Sequence, residues 1–578
     1  MKKLISTMWL IGMTAFCTHA QNYVSQVWNP DNGDGTYTNP VINADYSDPD
    51  ICVGASGEDY YLTASSFQCI PGLPILHSKD LVNWKIINYA IKGGLEPREE
   101  FDKPSHGNGV WAPSIRYHNG EYYIFWGDPD YGVMMVKTTD PAGEWSKPLC
   151  VIPGKGMIDT TPLWDDDGRC YLVNGWANSR SRFASVLTVR EMNAECTAAI
   201  GDPVIVYDGN GTENRTCEGP KFYKRDGWYW IMCPAGGVPT GFQLAMRSKS
   251  PFGPYEAKKV LDQGSTKING PHQGGWIHTK FGEDWFIHFQ DKEAYGRVCH
   301  LQPVTWKDNW PVMGKVSSKG YCGEPVLTYR KPKTSGKVVN ENPVESDEFN
   351  SPQLGLQWQW HGNYDQKFGM PTPWGVFRVY CYKAGSPDNL SPVEDGSKAD
   401  GRLWMVPNML LQKTPADNFT ATSKIRMTAK EDNQFGGIIM MGLNYSALVV
   451  KRVGNEFQLQ RITCFDADKG KEEKVEVLAT LKPTEVDKVD YQPAIHCDLY
   501  LRLAVSYIGG TNPDGSNKHE ARVVFSYSRD GKKFQPAGEP FTMRQGKWIG
   551  AKVGLVAAQP AGKENRGWVD ADWFRITK

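Results

Sequence analysis

The chain shows no excess of either charge. Its 578 residues include 64 Lys and Arg against 65 Asp and Glu, so the formal net charge is −1. Nucleic acids and anionic lipid surfaces attract proteins through excess basic charge, and we therefore expect neither as a partner. A membrane-spanning helix requires an apolar run of about 20 residues. Beyond the N-terminal segment the chain contains no such run, so we expect no membrane span.

Metal-binding sequence patterns are also missing. The chain has 13 cysteines, but no two of them form a C-x-x-C pair, which argues against zinc-ribbon and thioredoxin-like folds. Residues 31–35 and 165–168 resemble fragments of calcium loops, but neither is followed by the Glu that such a loop carries at its twelfth position. Asp-Gly hairpin turns explain both segments better, so no metal site is certain from the sequence.

The first twenty residues have the composition of a secretory leader. Two lysines follow the first Met, residues 4–16 are apolar, and residues 18–20 form a plausible cleavage site. We therefore expect residues 1–20 to be a signal peptide and the protein to be exported, either to the periplasm or to the extracellular medium. Lipid attachment at Cys17 is a less favoured alternative.

Aromatic residues are abundant, and many of them follow a repeated phrase. A Gly or Asp-Gly turn precedes an aromatic-rich strand five times, and the turn glycines lie 63, 48, 59 and 55 residues apart. This spacing suits one four-stranded sheet for each repeat and predicts a five-bladed β-propeller. The turn glycines are Gly57, Gly120, Gly168, Gly227 and Gly282.

One polar residue stands a short distance before each aromatic strand. In a propeller, these equivalent positions are expected on the innermost strands, around one central funnel. Three of the five are carboxylic acids, and three carboxylates in one funnel suggest hydrolysis. The five residues are Asp48, Ser114, Asp159, Glu218 and His272.

The neighbours of the three acids indicate different roles. Pro49 restrains the backbone that carries Asp48. Glu218 lies between a Cys and Gly-Pro at the start of an apolar strand, where partial burial would keep it protonated near neutral pH, as a general acid requires. Asp48 and Asp159, each taken alone, are equally well explained as residues that bond to backbone amides in turns. Together, the acids suit cleavage of a glycosidic bond, which needs a proton donor and a carboxylate that attacks or activates water.

The chain changes character after the fifth repeat. Residues 330–346 are polar and read as a linker. An all-β pattern without the repeat then follows, which favours a two-sheet sandwich of the jelly-roll type. We expect a propeller over residues 22–335 and a sandwich over residues 345–578, so the fold class is all-β. The strands expected in the sandwich are 418–427, 435–441, 447–452, 456–463, 498–505, 521–528, 553–557 and 570–576.

Motifs along the whole propeller resemble glycoside hydrolase family 43 in their order and spacing. The tail resembles the concanavalin-like β-sandwich that many β-xylosidases of this family carry, and the resemblance implies that this sandwich leans on the propeller. The matching segments are 39–42, 46–50, 78–84, 111–115, 158–159, 165–168, 218–220, 296–297 and 301–306 in the propeller, with 347–349, 354–360, 553–555 and 572–574 in the tail.

The resemblance implies a role for each acid. Asp48 would be the general base, Glu218 the general acid and Asp159 the residue that tunes this acid. The reaction would be a single displacement with inversion at the anomeric carbon. The two working carboxyl groups of an inverting enzyme lie about 6.5–9.5 Å apart, which leaves room for the attacking water.

The resemblance also implies residues that bind the sugar. Arg297 would hydrogen-bond the terminal sugar, and Phe67 and Trp111 are expected to form walls of the pocket. For His272 three interpretations stay open: substrate binding, ligation of an axial ion or water, and a satisfied core histidine. No cofactor is required for the chemistry, although family members sometimes carry an axial or structural Ca²⁺.

The expected substrate is a plant polysaccharide or oligosaccharide that carries terminal β-D-xylosyl or α-L-arabinofuranosyl residues, removed by an exo-acting enzyme. Residues 68–70 and 159–161 depart from the usual family sequences, which leaves the identity of the sugar open. The alternatives are a terminal galactosidase of the same fold and a non-catalytic glycan-binding propeller. A retaining fructan-cleaving enzyme, with carboxyl groups about 5–5.5 Å apart, is less favoured. The sequence does not indicate the oligomeric state.

Overall fold

The computed structural model describes residues 22–316, 322–384, 402–489, 491–513, 517–560 and 565–578. The expected signal peptide lies outside these residues. Strands dominate the described chain, and none of its helices is long and apolar enough to cross a membrane. Five four-stranded units followed by two larger sheets confirm the predicted all-β fold of a propeller and a sandwich.

Each blade is an antiparallel meander whose strands follow chain order, and a short strand, β1 (Thr36–Thr38), precedes the first blade. Blade 1 contains β2 (Asp50–Val53), β3 (Tyr60–Thr63), β4 (Gly72–Ser78) and β5 (Lys85–Ile91). Blade 2 contains β6 (Trp111–His118), β7 (Glu121–Asp128), β8 (Gly132–Thr138) and β9 (Leu149–Pro153). Blade 3 contains β10 (Met157–Trp164), β11 (Cys170–Trp176), β12 (Val186–Met192) and β13 (Val204–Asp208). Blade 4 contains β14 (Lys221–Arg225), β15 (Trp228–Ala235), β16 (Phe242–Ser248) and β17 (Glu256–Leu261). Blade 5 contains β18 (His272–His278), β19 (Asp284–Asp291), β20 (Arg297–Lys307) and β21 (Trp310–Met313).

Helical elements in the propeller are short and lie in its connections. They are α1 (Arg98–Phe101), α2 (Asn178–Ser181) and a 3-10 turn (Glu293–Tyr295). The first strands of blades 5, 1, 2, 3 and 4 contact one another in that order, so these strands surround the propeller axis.

The repeated glycines occupy the hairpins between the first and second strands of the blades. All five have positive φ angles, from +70° at Gly227 to +84° at Gly120 and Gly168. Residues with a Cβ rarely adopt this conformation, whereas glycine adopts it readily. The phrase that predicted the propeller therefore marks one hairpin in each blade.

Three short strands follow the last blade. β22 (Lys315–Val316) and β23 (Gly323–Glu324) extend the sheet of blade 4. β24 (Thr328–Arg330) pairs antiparallel with β1, with Thr36 opposite Arg330. The two ends of the propeller region are thereby joined through a small sheet of their own.

The sandwich begins after the linker, and its strand bounds are as follows. They are β25 (Gln359–Trp360), β26 (Gly369–Pro371), β27 (Phe377–Tyr380), β28 (Tyr382–Ala384), β29 (Leu410–Lys413), β30 (Phe419–Ala429), β31 (Phe435–Met441), β32 (Tyr445–Val453), β33 (Glu456–Cys464), β34 (Lys474–Leu481), β35 (Glu485–Val489), β36 (Gln492–Thr511), β37 (Asn517–Ser528), β38 (Gln535–Pro536), β39 (Phe541–Met543), β40 (Lys552–Pro560) and β41 (Trp568–Thr577). Short 3-10 turns lie at Leu403–Met405 and Ala467–Lys469.

The two sheets interleave distant parts of the chain. One has the order β25-β29-β40-β31-β32-β33-β34, with β28 beside β40. The other has the order β26-β27-β41-β30-β36-β37-β38, with β35 beside β36 and β39 beside β37. The closing strands β40 and β41 are thus inserted between strands that precede them by more than 100 residues, as the predicted topology allows.

The sandwich is docked on the propeller through backbone and core contacts. The N–H of Gly550 donates to the Asp45 carboxylate (2.9 Å), and the N–H of Ala551 donates to the carbonyl of Ala294 (2.8 Å). Ala294 and Tyr295 come from the propeller, yet they pack in the hydrophobic core of the sandwich. The two domains therefore share part of one core beside blade 5.

Candidate active site

One residue in each blade, at the entrance to the innermost strand, has a left-handed backbone. The φ angles of these five residues lie between +35° and +64°. In blades 2, 3 and 5 the pairing of the first two strands also shifts register at this point. Bulges of this kind re-aim side chains, and backbone strain of this kind concentrates at functional sites. The five residues are Asp48, Ala112, Asp159, Gly219 and Gln273.

These backbone distortions surround one pocket of about 340 Å³. Six of the seven residues predicted to act on or bind the substrate line it, and a residue of the sandwich completes its wall. The lining residues are Asp48, Phe67, Trp111, Ala112, Ile158, Asp159, Ala177, Asn178, Ser179, Glu218, Val238, Gln273, Arg297 and Trp548.

The carboxylate of Asp48 is held by three donors. Its Oδ1 accepts a hydrogen bond from Arg297 Nη1 (2.8 Å). Its Oδ2 accepts hydrogen bonds from the hydroxyls of Ser47 (2.8 Å) and Ser65 (2.7 Å). Arg297 Nη1 also donates to Ser47 Oγ (2.7 Å), and both charged side chains are almost fully buried. This buried ion pair fixes the orientation of Asp48, because charge-assisted hydrogen bonds are strong where water is excluded.

The two other acids, Asp159 and Glu218, are neighbours in the pocket. Asp159 Oδ2 accepts the backbone N–H of Gly219 (2.7 Å), so it binds the residue that follows Glu218. Burial, followed by the negative charge of Asp48, raises the pKa of Asp159 to about 7. Burial, followed by the charge of Asp159, raises the pKa of Glu218 to about 8. Glu218 therefore retains its proton at neutral pH, the condition in which it can donate one. Asp159, whose pKa is lower, ionises first and then places a negative charge beside Glu218.

Three aromatic rings form part of the pocket wall. Phe67 and Trp111 meet edge to face with their centroids 6.4 Å apart. Trp111 is separated by the same distance from Trp548. The guanidinium of Arg180 lies 5.9 Å from the Trp111 ring centre, and Trp111 Nε1 donates to Gly107 O (2.8 Å). These contacts hold apolar ring surface beside the carboxyl groups, where the apolar face of a sugar can stack.

His272 lies behind the pocket wall and is not among the lining residues. Its Nδ1–H donates to the carbonyl of Gly270 (2.7 Å), and its ring packs against Phe289. Burial lowers the pKa of His272 to about 4, so the ring is neutral at physiological pH. The next residue, Gln273, lines the pocket in its place.

Blade 2 shows a displacement in the opposite direction along the strand. Ser114 is buried and donates its hydroxyl hydrogen to the carbonyl of Thr160 (2.7 Å). Ala112 lines the pocket instead. The polar position expected from the repeat thus falls two residues from the wall, because a bulge separates Trp111 from Ser114 in the pairing with β7.

Sequence reasoning missed several lining residues. Trp548 is the contribution of the sandwich, and it is 50% exposed with a φ of +67°. Asn178 and Ser179 come from α2, after the second strand of blade 3. The signal available in the sequence for Trp548 is a Trp between two glycines, at positions 546 and 550. No comparable signal marks the two residues of α2.

Side chains that commonly ligate metals do not cluster in the described part of the chain. There, no group of three or more His, Cys, Asp and Glu side chains is placed to hold a metal ion. The groups that the pocket itself supplies are an oriented carboxylate, a protonated carboxyl group with a second acid beside it, a buried arginine and apolar rings.

Two family profiles match the chain. The profile of glycosyl hydrolases family 43 matches residues 37–311. That of the beta xylosidase C-terminal concanavalin A-like domain matches residues 346–577. The two matches follow the division between propeller and sandwich that the sheets show.

Curated relatives and solved structures agree with these matches. A putative beta-xylosidase of Xylanibacter ruminicola is 33% identical over 91% of this chain and 87% of its own length. A non-reducing end alpha-L-arabinofuranosidase of Bacteroides ovatus is 31% identical over 75% of this chain and 79% of its own length. A GH43 protein of Bacillus licheniformis has a crystal structure that superposes with a TM-score of 0.70, at 26% identity over 94% of this chain and 99% of that chain.

A beta-xylosidase of Formosa agariphila adds a second long match, 30% identical over 94% of this chain and 90% of its own length. Identity at this level over nearly the whole of both chains includes both domains. Taken with the propeller, the sandwich and the carboxyl-lined pocket, these matches show that the chain belongs to glycoside hydrolase family 43 and is a glycoside hydrolase.

Proposed function

We propose that the protein is an exported, inverting exo-glycosidase that removes terminal β-D-xylosyl or α-L-arabinofuranosyl residues from plant polysaccharides or oligosaccharides. One observation carries this proposal: a single small pocket contains both a carboxylate held by a buried arginine and a carboxyl group that burial keeps protonated. The first can activate water, and the second can protonate the departing oxygen.

Asp48 is the proposed general base. Each carboxylate oxygen has two acceptor sites. Oδ2 uses both of its sites for the hydroxyls of Ser47 and Ser65, whereas Oδ1 uses one for Arg297. Oδ1 therefore keeps one site for a water molecule, and this oxygen would take the proton as the water attacks the anomeric carbon.

Glu218 is the proposed general acid. A pKa of about 8 keeps its carboxyl group protonated at neutral pH, so a proton is available for the glycosidic oxygen. Asp159 supports this role in two ways. Its charge raises the pKa of Glu218, and its hydrogen bond to Gly219 fixes the segment that carries the acid.

The size of the pocket supports release of single terminal sugars. At about 340 Å³, it lies near the lower end of the range for small-molecule sites, about 300–1,000 Å³. The relatives support xylose and arabinofuranose as the two candidate sugars, since two long matches are named beta-xylosidases and one is named an arabinofuranosidase. Both sugars stay in the proposal.

Initial rates on paired aryl glycosides test the sugar. The substrates are 4-nitrophenyl β-D-xylopyranoside and 4-nitrophenyl α-L-arabinofuranoside, with the β-D-galactopyranoside as a third. We expect turnover of one or both of the first two, lost in Asp48→Asn. Turnover of the galactoside alone would replace the proposed sugar. Binding of xylo-oligosaccharides without turnover of any substrate would favour the glycan-binding alternative.

The stereochemistry is tested by proton NMR of the first sugar released. An inverting enzyme releases α-xylose from a β-xyloside before mutarotation, whereas a retaining enzyme releases β-xylose. We expect the α anomer in the earliest spectra. Early accumulation of the β anomer would show that Asp48 acts as a nucleophile.

Export and metal independence are further parts of the proposal. The N-terminal sequence supports export with cleavage before Gln21, which N-terminal sequencing of the mature protein tests directly. A mature protein that starts at Met1 would contradict it.

The proton transfers above require only carboxyl groups, so we expect full activity after dialysis against EDTA. A loss that Ca²⁺ restores would show that an ion is needed.

A further inference from the structure

Two thiols lie in contact directly behind the proposed acid. The sulfurs of Cys217 and Cys233 are 2.9 Å apart and unbonded. Cys217 immediately precedes Glu218, and Cys233 lies on β15, the next strand of the same blade. Both side chains are buried, in a core cluster shared by strands of blades 3 and 4.

Hydrogen bonds of Thr216 to Ser185 and of Gly219 to Asp159 hold the segment on either side of Glu218. Residues 210–216, which lead into it, are exposed or only half-buried. The N–H of Glu218 donates to Pro234 O at 3.3 Å, a long hydrogen bond. The thiol of Cys233 donates to the carbonyl of Glu218 (3.0 Å). Cys233 therefore already contacts the backbone that positions the acid.

We propose that Cys217 and Cys233 form a disulfide in the exported protein and that this bond fixes Glu218 against β15. The inference rests on the export part of the proposed function. Oxidising compartments allow such bonds to persist, whereas cytosolic thiols are kept reduced. The bond closes a loop over residues 217–233, and a cross-link of this kind restricts the unfolded chain.

Cys217 and Cys233 would be oxidised by thiol–disulfide exchange with a disulfide donor. The thiolate of one cysteine attacks a sulfur of a disulfide donor, either an oxidised thiol–disulfide oxidoreductase or glutathione disulfide, and releases one donor thiol. The second cysteine then attacks the mixed disulfide and releases the other donor thiol. The protein pair loses two protons and two electrons, and the donor is reduced to two thiols.

The exchange takes place before blade 4 is complete. Exchange needs a thiolate, but burial raises the pKa of the Cys233 thiol well above its ordinary value in the finished fold. Both sulfurs are also closed off from a donor of protein size. A protein that folds in a reducing cytosol should therefore keep the two thiols after purification.

Peptide mapping tests the bond itself. The full chain is produced once with export into an oxidising compartment and once in a reducing cytosol. Each sample is denatured in N-ethylmaleimide, digested without reduction and analysed by mass spectrometry. We expect a peptide that joins Cys217 to Cys233 only in the exported sample, lighter by two hydrogen atoms than its two parts. Maleimide on both cysteines of the exported protein would overturn the proposal.

Thermal unfolding tests the constraint. Reduction of the exported protein with a phosphine should lower its Tm by several degrees. The double variant Cys217→Ser/Cys233→Ser should show no such fall, whereas the buried sandwich variant Cys497→Ser should behave like the wild type. An unchanged Tm on reduction of the wild type would show that the bond fixes nothing. Neither readout uses a substrate, so failure of the proposed activity would leave both results interpretable.

Discussion

Replacement of Asp159 by Asn should move the alkaline limb of the pH profile to lower pH. Asparagine keeps an oxygen that can accept the N–H of Gly219, but it removes the negative charge beside Glu218. That charge is one cause of the raised pKa of Glu218, and burial is the larger one. Without the charge, Glu218 loses its proton more easily, so its pKa falls and the protonated, active form disappears at lower pH.

The size of this shift follows from the two causes. Burial is unchanged in Asp159→Asn, so the pKa of Glu218 should fall from about 8 yet stay above its ordinary value. Loss of one neighbouring like charge corresponds to about one pKa unit, or about 1.4 kcal/mol of interaction between the two groups. At pH values above the alkaline limb of both the wild type and the variant, the protonated fraction of Glu218 should be about tenfold lower in the variant, and kcat/KM should fall with it.

The assay is kcat/KM on xylobiose between pH 5 and 10, because this ratio reports the ionisation of the free enzyme. Asp128→Asn is the matched control. Burial also raises the pKa of Asp128 to about 7, but this residue does not line the pocket. Its variant should keep the wild-type profile. If Asp159→Asn lowers kcat/KM by the same factor at every pH and leaves the alkaline limb where it is, the electrostatic role is refuted. Asp159 would then only position the segment that carries Glu218.

The remaining predictions concern single side chains of the pocket. Glu218→Gln should lower kcat on xylobiose by roughly 10²–10⁴-fold with much smaller losses on aryl glycosides; equal losses on both would argue against an acid. Arg297→Met should lower the free energy of unfolding in urea by about 3–5 kcal/mol, because it leaves the charge of Asp48 buried and unpaired; a change below 1 kcal/mol would contradict the ion pair. Trp548→Ala should raise KM severalfold with little change in Tm, since the side chain is 50% exposed; an unchanged KM would remove it from the sugar site.

Most of the fold could be predicted because its signals are local. The turn glycines recur where each blade needs a positive φ, and that requirement depends on one hairpin only. The predicted strand 435–441 coincides with β31, whereas the predicted strand 498–505 lies within the much longer β36. The C-terminal end of β36 is mostly exposed and contains Gly509 and Gly510, so hydrophobic alternation does not reveal it. At the N-terminal end, the prediction missed Ile495 and Cys497, which are buried in the core of the sandwich.

The site was harder to predict where side-chain direction depends on a bulge. Counting along the repeat places Ser114 and His272 at the funnel, but the bulges bring Ala112 and Gln273 to the wall instead. A bulge changes which residue of the strand faces the funnel, and no local feature of the sequence reports it. Trp548 was missed for a different reason: its neighbours in the pocket are separated from it by several hundred residues.

The position of one arginine determines which of the three carboxyl groups can act as the base and which as the acid. Arg297 forms an ion pair with Asp48, and in the described part of the chain neither Asp159 nor Glu218 takes part in a salt bridge of this kind. A buried carboxylate with a cation partner can keep its charge, whereas a buried carboxyl group without one holds its proton to higher pH because of the cost of desolvation. The same burial therefore gives a base on blade 1 and an acid beside blade 4, and exchange of the two roles would require moving the arginine.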